Sequence, residues 1–226
     1  AEQADHDGLR AWICGLQSLI SYWARRHHDS IRYAQRGAAY AQRAGSTTTV
    51  WLHVSEACAW AALGNAEQAR AGITCAEQAW DRVRFDELDE VGGIATFSRA
   101  RLLHFAAGAL ISLPDESSAA ENYARLAVAA YSDQTDPDWS FGGAAGSRAV
   151  LAIARIRHGE VDEAAEALAP VFGLPAEQRI NGIVQTMSEA HRALNQEPPS
   201  AISRELQERI EIYIRTSASL RTFGNR

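Results

Sequence analysis

Apolar residues return every three or four positions along most of this chain, and short turns break the pattern, as expected of amphipathic helices rather than alternating strands. The clearest stretch is 57–76, ACAWAALGNAEQARAGITCA. Ala57 and Trp60 lie three apart on one helix, Gly64 breaks it, and Ala69, Ile73 and Ala76 recur at spacings of four and three on the next. Alanines at these positions let two helices approach closely, and the glycine permits the turn between them. The pattern predicts a hairpin from about Thr48 to Arg84, with the turn Gly64-Asn65-Ala66-Glu67 short enough to make its helices antiparallel neighbours.

Three more hairpins can be read in the same way. The first runs as a helix over 8–25 and a second over 29–44, with Trp12, Leu16, Leu19, Ile20 and Trp23 as one apolar stripe and Ile31, Ala34, Ala38 and Ala41 as the other. Asp29 is its expected N-cap and Gly45 its stop. The third spans 98–131 around Pro114, with Leu102, Leu103, Ala106, Ala107 and Leu110 facing Ala120, Tyr123, Ala127 and Ala130. The fourth places Leu151, Ala152 and Arg155 before Gly159, and Ala164, Leu168 and Val171 after it. Two connectors separate these hairpins: an acidic one over 85–90, expected to be a solvated loop, and one over 132–146 rich in glycine. A helix over 176–194 and a final one capped by Ser200 complete the chain. The last carries Ile202, Leu206, Ile210, Tyr213 and Ile214 on one stripe, suited either to capping a helical stack or to dimerisation.

Repeated hairpins of this kind read as an all-α, tetratricopeptide-like right-handed helical-repeat solenoid of about four hairpins plus C-terminal capping helices, taken as one regulatory and interaction domain over residues 1–226. The turns recur at steps of 38, 50 and 45 residues. Against a usual period of about 34, the excess falls in the connectors.

Composition narrows the function. The chain has 226 residues, a formal charge of -6, and no lysine among its 22 basic residues. Dispersed arginines in an acidic chain leave no nucleic-acid footprint, so DNA contact is expected only through residues absent from it. No apolar run is long enough for a membrane span. Cys14, Cys58 and Cys75 form no zinc-type pattern and read as reduced packing residues of a cytoplasmic protein. His27 and His28 diverge on a turn, His104 reads as a core or groove residue, and Glu87, Asp89 and Glu90 lie in a segment expected to be too mobile to hold paired carboxylates. No nucleophile, phosphate loop or metal motif is present. The expectation is a non-enzyme with no cofactor and no metal.

The segments ALGNAEQARAGITCAEQA, DELDEVGGIATFSRARLLHFAAGAL and LAIARIRHGEVDEAAEALAPVFGLPAEQR resemble the C-terminal region of actinomycete helix-turn-helix transcriptional regulators. The resemblance covers about 9–194 and implies a tetratricopeptide-like array joined to an N-terminal DNA-binding domain that this chain lacks. It implies a sensory or interaction module that binds a peptide, small molecule or protein in a concave groove and biases that domain. The alternative is a protein-interaction or dimerisation scaffold with no small ligand. In such arrays the first helix of each hairpin lines the groove. That nominates Leu16, Ile20, Trp23, Trp51, Val54, Cys58, Arg101, His104, Ile153 and Arg157 for the partner, while Ile202, Leu206, Ile210 and Tyr213 are nominated for a homodimer.

Overall fold

The structure, a computed structural model, describes residues 6–41 and 45–223, without the side chains beyond 217. Among the described residues there are eleven α-helices and no strand, as the periodicity predicts. The chain forms two compact units, Ala1–Glu116 and Ser117–Arg226. The division falls between the two helices of the third predicted hairpin. No helix among the described residues is long and apolar enough to cross a membrane.

The first unit holds α1 (Asp7–Trp23), α2 (His27–Ala41), α3 (Thr47–Ala62), α4 (Ala66–Trp80), α5 (Glu87–Val91) and α6 (Arg99–Ile111). Helix α1 packs on α2 and α3, α2 also on α3, and α3 on α4 and α6. The face that α1 buries is not the predicted stripe of large residues. It is Gly8, Ala11, Cys14, Gly15, Ser18 and Ser21, small enough to bring the neighbouring backbones close. Ser18 Oγ donates to the Ser30 carbonyl at 3.0 Å, so the hydroxyl is satisfied inside the α1–α2 contact. A Cβ on Gly37 would lie 2.6 Å from a Leu52 methyl and 2.8 Å from Cys14 Cβ, which makes this glycine the point where α1, α2 and α3 meet. Trp12, Leu16 and Leu19 instead pack beside a core of Val50, Trp51, Val54, Ala76, Phe97 and Leu102. Leu52, Val50, Val54 and Leu102 are fully buried, each contributing roughly 1.5–3 kcal/mol.

The second unit holds α7 (Ser117–Ala130), α8 (Phe141–Arg157), α9 (Val161–Phe172), α10 (Asn181–Leu194) and α11 (Ala201–Phe223). Helix α8 is its centre, packing on α7, α9 and α10. It begins inside the segment read as a glycine-rich connector, because Ser140 Oγ caps it by accepting from Gly143 N–H at 3.1 Å. Gly143 is buried under the Tyr131 ring, where a Cβ would lie 2.5 Å from Cζ. The predicted helix over 176–194 is a short 3-10 turn, Ala176–Gln178, followed by α10. The break leaves Ile180 exposed. Ser200 caps α11 as expected, in a reciprocal pair with Ser203: Ser203 N–H donates to Ser200 Oγ at 3.0 Å and Ser200 N–H to Ser203 Oγ at 2.7 Å.

Three turns share one hydrogen-bond pattern. Arg26, Asn65 and Glu160 each donate a backbone N–H to the carbonyl five residues back, at Ser21, Trp60 and Arg155. The residue before each donor is left-handed: Arg25 at φ 58°, Gly64 at 77° and Gly159 at 80°. This is the Schellman geometry that satisfies the last carbonyls of a helix. It places Arg25 at the position equivalent to Gly64. It also starts α2 at His27, so Asp29 sits within the first turn and pairs with Arg32 at 2.9 Å rather than capping the helix. The predicted end of that helix, 42–44, lies outside the described residues. Arginine in the left-handed region carries a steric cost that glycine does not. Arg25→Gly should therefore raise stability by about 0.5–1 kcal/mol in urea unfolding with an unchanged slope; a loss of stability would show that the side chain contributes more than its backbone strain costs.

Candidate functional site

The nominated partner residues lie on α1, α3, α6 and α8, and their environments differ. Trp51, Val54 and Ile153 are interior side chains, 7%, 0% and 1% exposed, and offer a partner almost no surface. Trp51 is held by the backbone of α1, since a Cβ on Gly15 would lie 2.6 Å from its ring. Its ring stacks on Phe97 with centroids 6.2 Å apart and meets Trp12 edge-on at 6.5 Å, and Phe97 meets Phe105 edge-on at 5.4 Å. Trp51, nominated for the groove by its place on the first helix of its hairpin, is here part of the aromatic core of the first unit.

Leu16, Cys58, Arg101 and His104 are half-buried. The Cys58 thiol donates to the Phe105 carbonyl at 3.5 Å, and burial pushes its pKa up to about 12, so it remains a thiol with little nucleophilic character. Burial drives His104 the other way, to about 4, and its ring packs edge-on against Phe105 at 5.7 Å. Arg101 Nη1 donates to the Thr96 carbonyl at 2.8 Å, so this guanidinium braces the loop before α6. Ile20 and Trp23 stand apart from the rest. They are 61% and 51% exposed, three residues apart on α1, and continue from Leu16 along one side of the helix. Arg157 is exposed in the second unit, with its Nη1 3.4 Å from Ser117 Oγ.

The dimerisation set changes most. Leu206, Ile210 and Tyr213 are 1%, 0% and 3% exposed, and α11 packs on α9 and α10 of its own unit. Tyr213 meets Phe172 of α9 edge-on at 6.2 Å, with the Arg179 guanidinium 4.7 Å from its ring centroid. Ile202 alone of the four has substantial surface. The stripe is the inner face of a docked helix, so these four residues do not make a patch for a second copy.

The acidic connector is also a built element. Asp86 caps α5, accepting from Leu88 and Asp89 N–H at 2.9 and 3.0 Å, in a reciprocal capping box with Asp89. Asp89 is buried at the N-terminus of α3, where its carboxylate accepts from Thr47 N–H at 3.2 Å and from the Thr47 hydroxyl. The same hydroxyl oxygen accepts from Phe97 N–H at 2.8 Å, and Thr96 Oγ1 donates to the Asp89 carbonyl at 2.8 Å. An anion at a helix N-terminus, met by a backbone N–H and a hydroxyl, fixes the segment in place. The Asp-x-x-Asp spacing of 86–89, followed by Val91 and Gly92, was the available signal. A run of like charges masked it.

Of the three cysteines, Cys14 is buried, Cys58 half-buried and Cys75 exposed, so Cys75 departs from the packing role expected of it. His27 opens α2 and meets the Tyr22 ring at 5.4 Å. Among the described residues, the ligand-type groups that converge are Glu121, His158 and Glu160 of the second unit. A scan against protein-family models and a search of curated proteins found no match to this chain.

Asp89→Asn leaves the size unchanged but removes the charge and turns an acceptor into a donor facing Thr47. It should cost about 1–3 kcal/mol in chemical denaturation, whereas a loss under 0.5 kcal/mol would make the latch a passive contact. The depressed His104 pKa sets a pH response of definite sign. The unfolded chain takes up a proton at this residue near the ordinary 6.5, while the folded protein stays neutral down to about 4. Stability is complete above 6.5 and falls between there and 4, by roughly 1–3 kcal/mol after allowance for partial exposure. His104→Gln should flatten that part of the profile; an unchanged profile would assign the acid loss elsewhere.

Proposed function

We propose that this chain is a non-enzymatic interaction module of the tetratricopeptide-like type, whose first unit binds an apolar segment of a partner on the side of α1 that carries Leu16, Ile20 and Trp23. What carries the reading is the packing order within the units. In the first unit, α1 lies on its own second helix, α2, and on the next first helix, α3; α3 repeats this with α4 and α6. In the second unit, α8 does the same with α9 and α10. The three Schellman turns sit at equivalent points of these hairpins. Stacking of this kind sets the first helices side by side and leaves one flank of each for a partner.

The exposed pair Ile20 and Trp23 gives that surface an anchor, since tryptophan is prominent among residues that dominate binding energy. Arg101 is committed to the Thr96 carbonyl, so apolar contact, not carboxylate capture, is the main recognition chemistry of the first unit. The sequence resemblance to regulator C-terminal regions supports a role beside a DNA-binding domain, in which partner binding shifts the population of states that domain samples. A homodimer scaffold is the weaker reading because Leu206, Ile210 and Tyr213 are interior.

Panning a displayed-peptide library on the full chain, then measuring the enriched synthetic peptides by calorimetry, tests the reading. Enriched sequences should be apolar, and Trp23→Ala should weaken them at least tenfold, about 1.4 kcal/mol, with melting temperature nearly unchanged. Peptides that bind the variant as tightly as the parent would remove α1 from the site. Unfolding of the variant would make Trp23 a structural residue.

A further inference from the structure

We propose that Glu121 of α7 with His158 and Glu160 of the α8–α9 turn form a binding site for one divalent transition-metal ion of the zinc class. The donor atoms already converge: one atom from each residue lies within 4.8 Å of the other two, and His158 Nδ1 is 3.1 Å from Glu121 Oε2. A tetrahedral zinc ion with bonds of about 2.0–2.2 Å needs its ligands roughly 3.5 Å apart, so the set requires only a short inward movement of the exposed Glu160. One imidazole and two carboxylates make three protein ligands, with the fourth position left to water. The nitrogen favours a zinc-class ion over magnesium, which takes oxygen ligands.

The surroundings of each ligand suit this role. The far ring nitrogen, His158 Nε2, is 3.4 Å from Ser118 Oγ, an acceptor for the N–H that a metal-bound imidazole presents on its other side. The turn is fixed by the left-handed Gly159 and by the 2.9 Å bond from Glu160 N–H to the Arg155 carbonyl. The equivalent turn at Gly64 is built differently. There Asn65 folds its side chain back and caps α4, accepting from Gln68 N–H at 3.1 Å. At the same position Glu160 makes no cap hydrogen bond, and its carboxylate reaches instead toward His158 and Glu121. Two carboxylates drawn together repel unless a cation sits between them. Arg155 offsets part of that charge, with Nε 3.8 Å from Glu121 Oε1, but its Nη1 is held by the Glu163 carbonyl at 2.9 Å, and Oε2 faces the histidine.

A protonated His158 paired with Glu121 would explain two of the three residues without a metal, and Glu160 separates the two accounts. Zinc chloride and magnesium chloride would be titrated into the full chain by calorimetry, with native mass spectrometry for stoichiometry and circular dichroism to confirm that variants fold. The expected result is one zinc per chain, no comparable magnesium binding, and at least a tenfold loss of zinc affinity in both Glu160→Gln and His158→Ala. Failure to bind zinc would overturn the site, and so would affinity in Glu160→Gln equal to that of the parent.

Discussion

Close approach of helix backbones is the constraint on which the rest of this structure depends. The first unit brings α1, α2 and α3 together at Gly37, between Cys14 and Leu52, and seats the Trp51 ring over Gly15. The second seats the Tyr131 ring over Gly143 in the same way. At each place a single added carbon would overlap its neighbour, so a small residue on one helix determines where a large one on the next can lie. The buried stripes follow from this. On α1 and α2 they are composed of Ala, Gly, Ser and Cys with Ile31 as the one large member, and the large side chains of α3 pack against them.

Once the helices stand this close, the polar groups between them need internal partners. Ser18 and Ser30 satisfy each other across α1 and α2. Thr47 and Asp89 do so at the start of α3, and through Phe97 N–H they tie the connector between α4 and α6 into the packing. The connector is thus held by an ionised group at a helix N-terminus, an interaction stronger than a neutral hydrogen bond. The inward-facing residues of α1 are small and fully packed, and the large apolar ones left at its C-terminal end, Ile20 and Trp23, are exposed.

Side-chain size is a poorer guide to the buried face of a helix than direction. Trp12, Leu16, Leu19, Ile20 and Trp23 look like the buried stripe because they are large, yet two of them are mostly exposed and the inner face belongs to smaller neighbours. Leu206, Ile210 and Tyr213 fall on one stripe, but periodicity alone does not say whether such a stripe faces its own unit or another molecule. The charge of the run 85–90 predicts a solvent-facing loop, although Asp89 turns inward. The pairing of His158 with Glu121 leaves no local signal, because the two lie 37 positions apart.

Local order along the chain was enough to establish that it is helical, where most helices start and stop, that Gly64 and Gly159 close two of the hairpins, and that Ser200 caps the last helix. Each of these depends on contacts within about five residues, through turn conformation, capping and the 3.6-residue repeat. Tertiary packing decided which of the nominated side chains became interior, as Trp51, Val54 and Ile153 did, and which remained open, as Ile20 and Trp23 did. It also decided that Asp89 would meet Thr47 and that Glu121 would meet His158. Those outcomes depend on the rotation of each helix about its axis when it docks, and that rotation is set by the fit of side chains far apart in the chain.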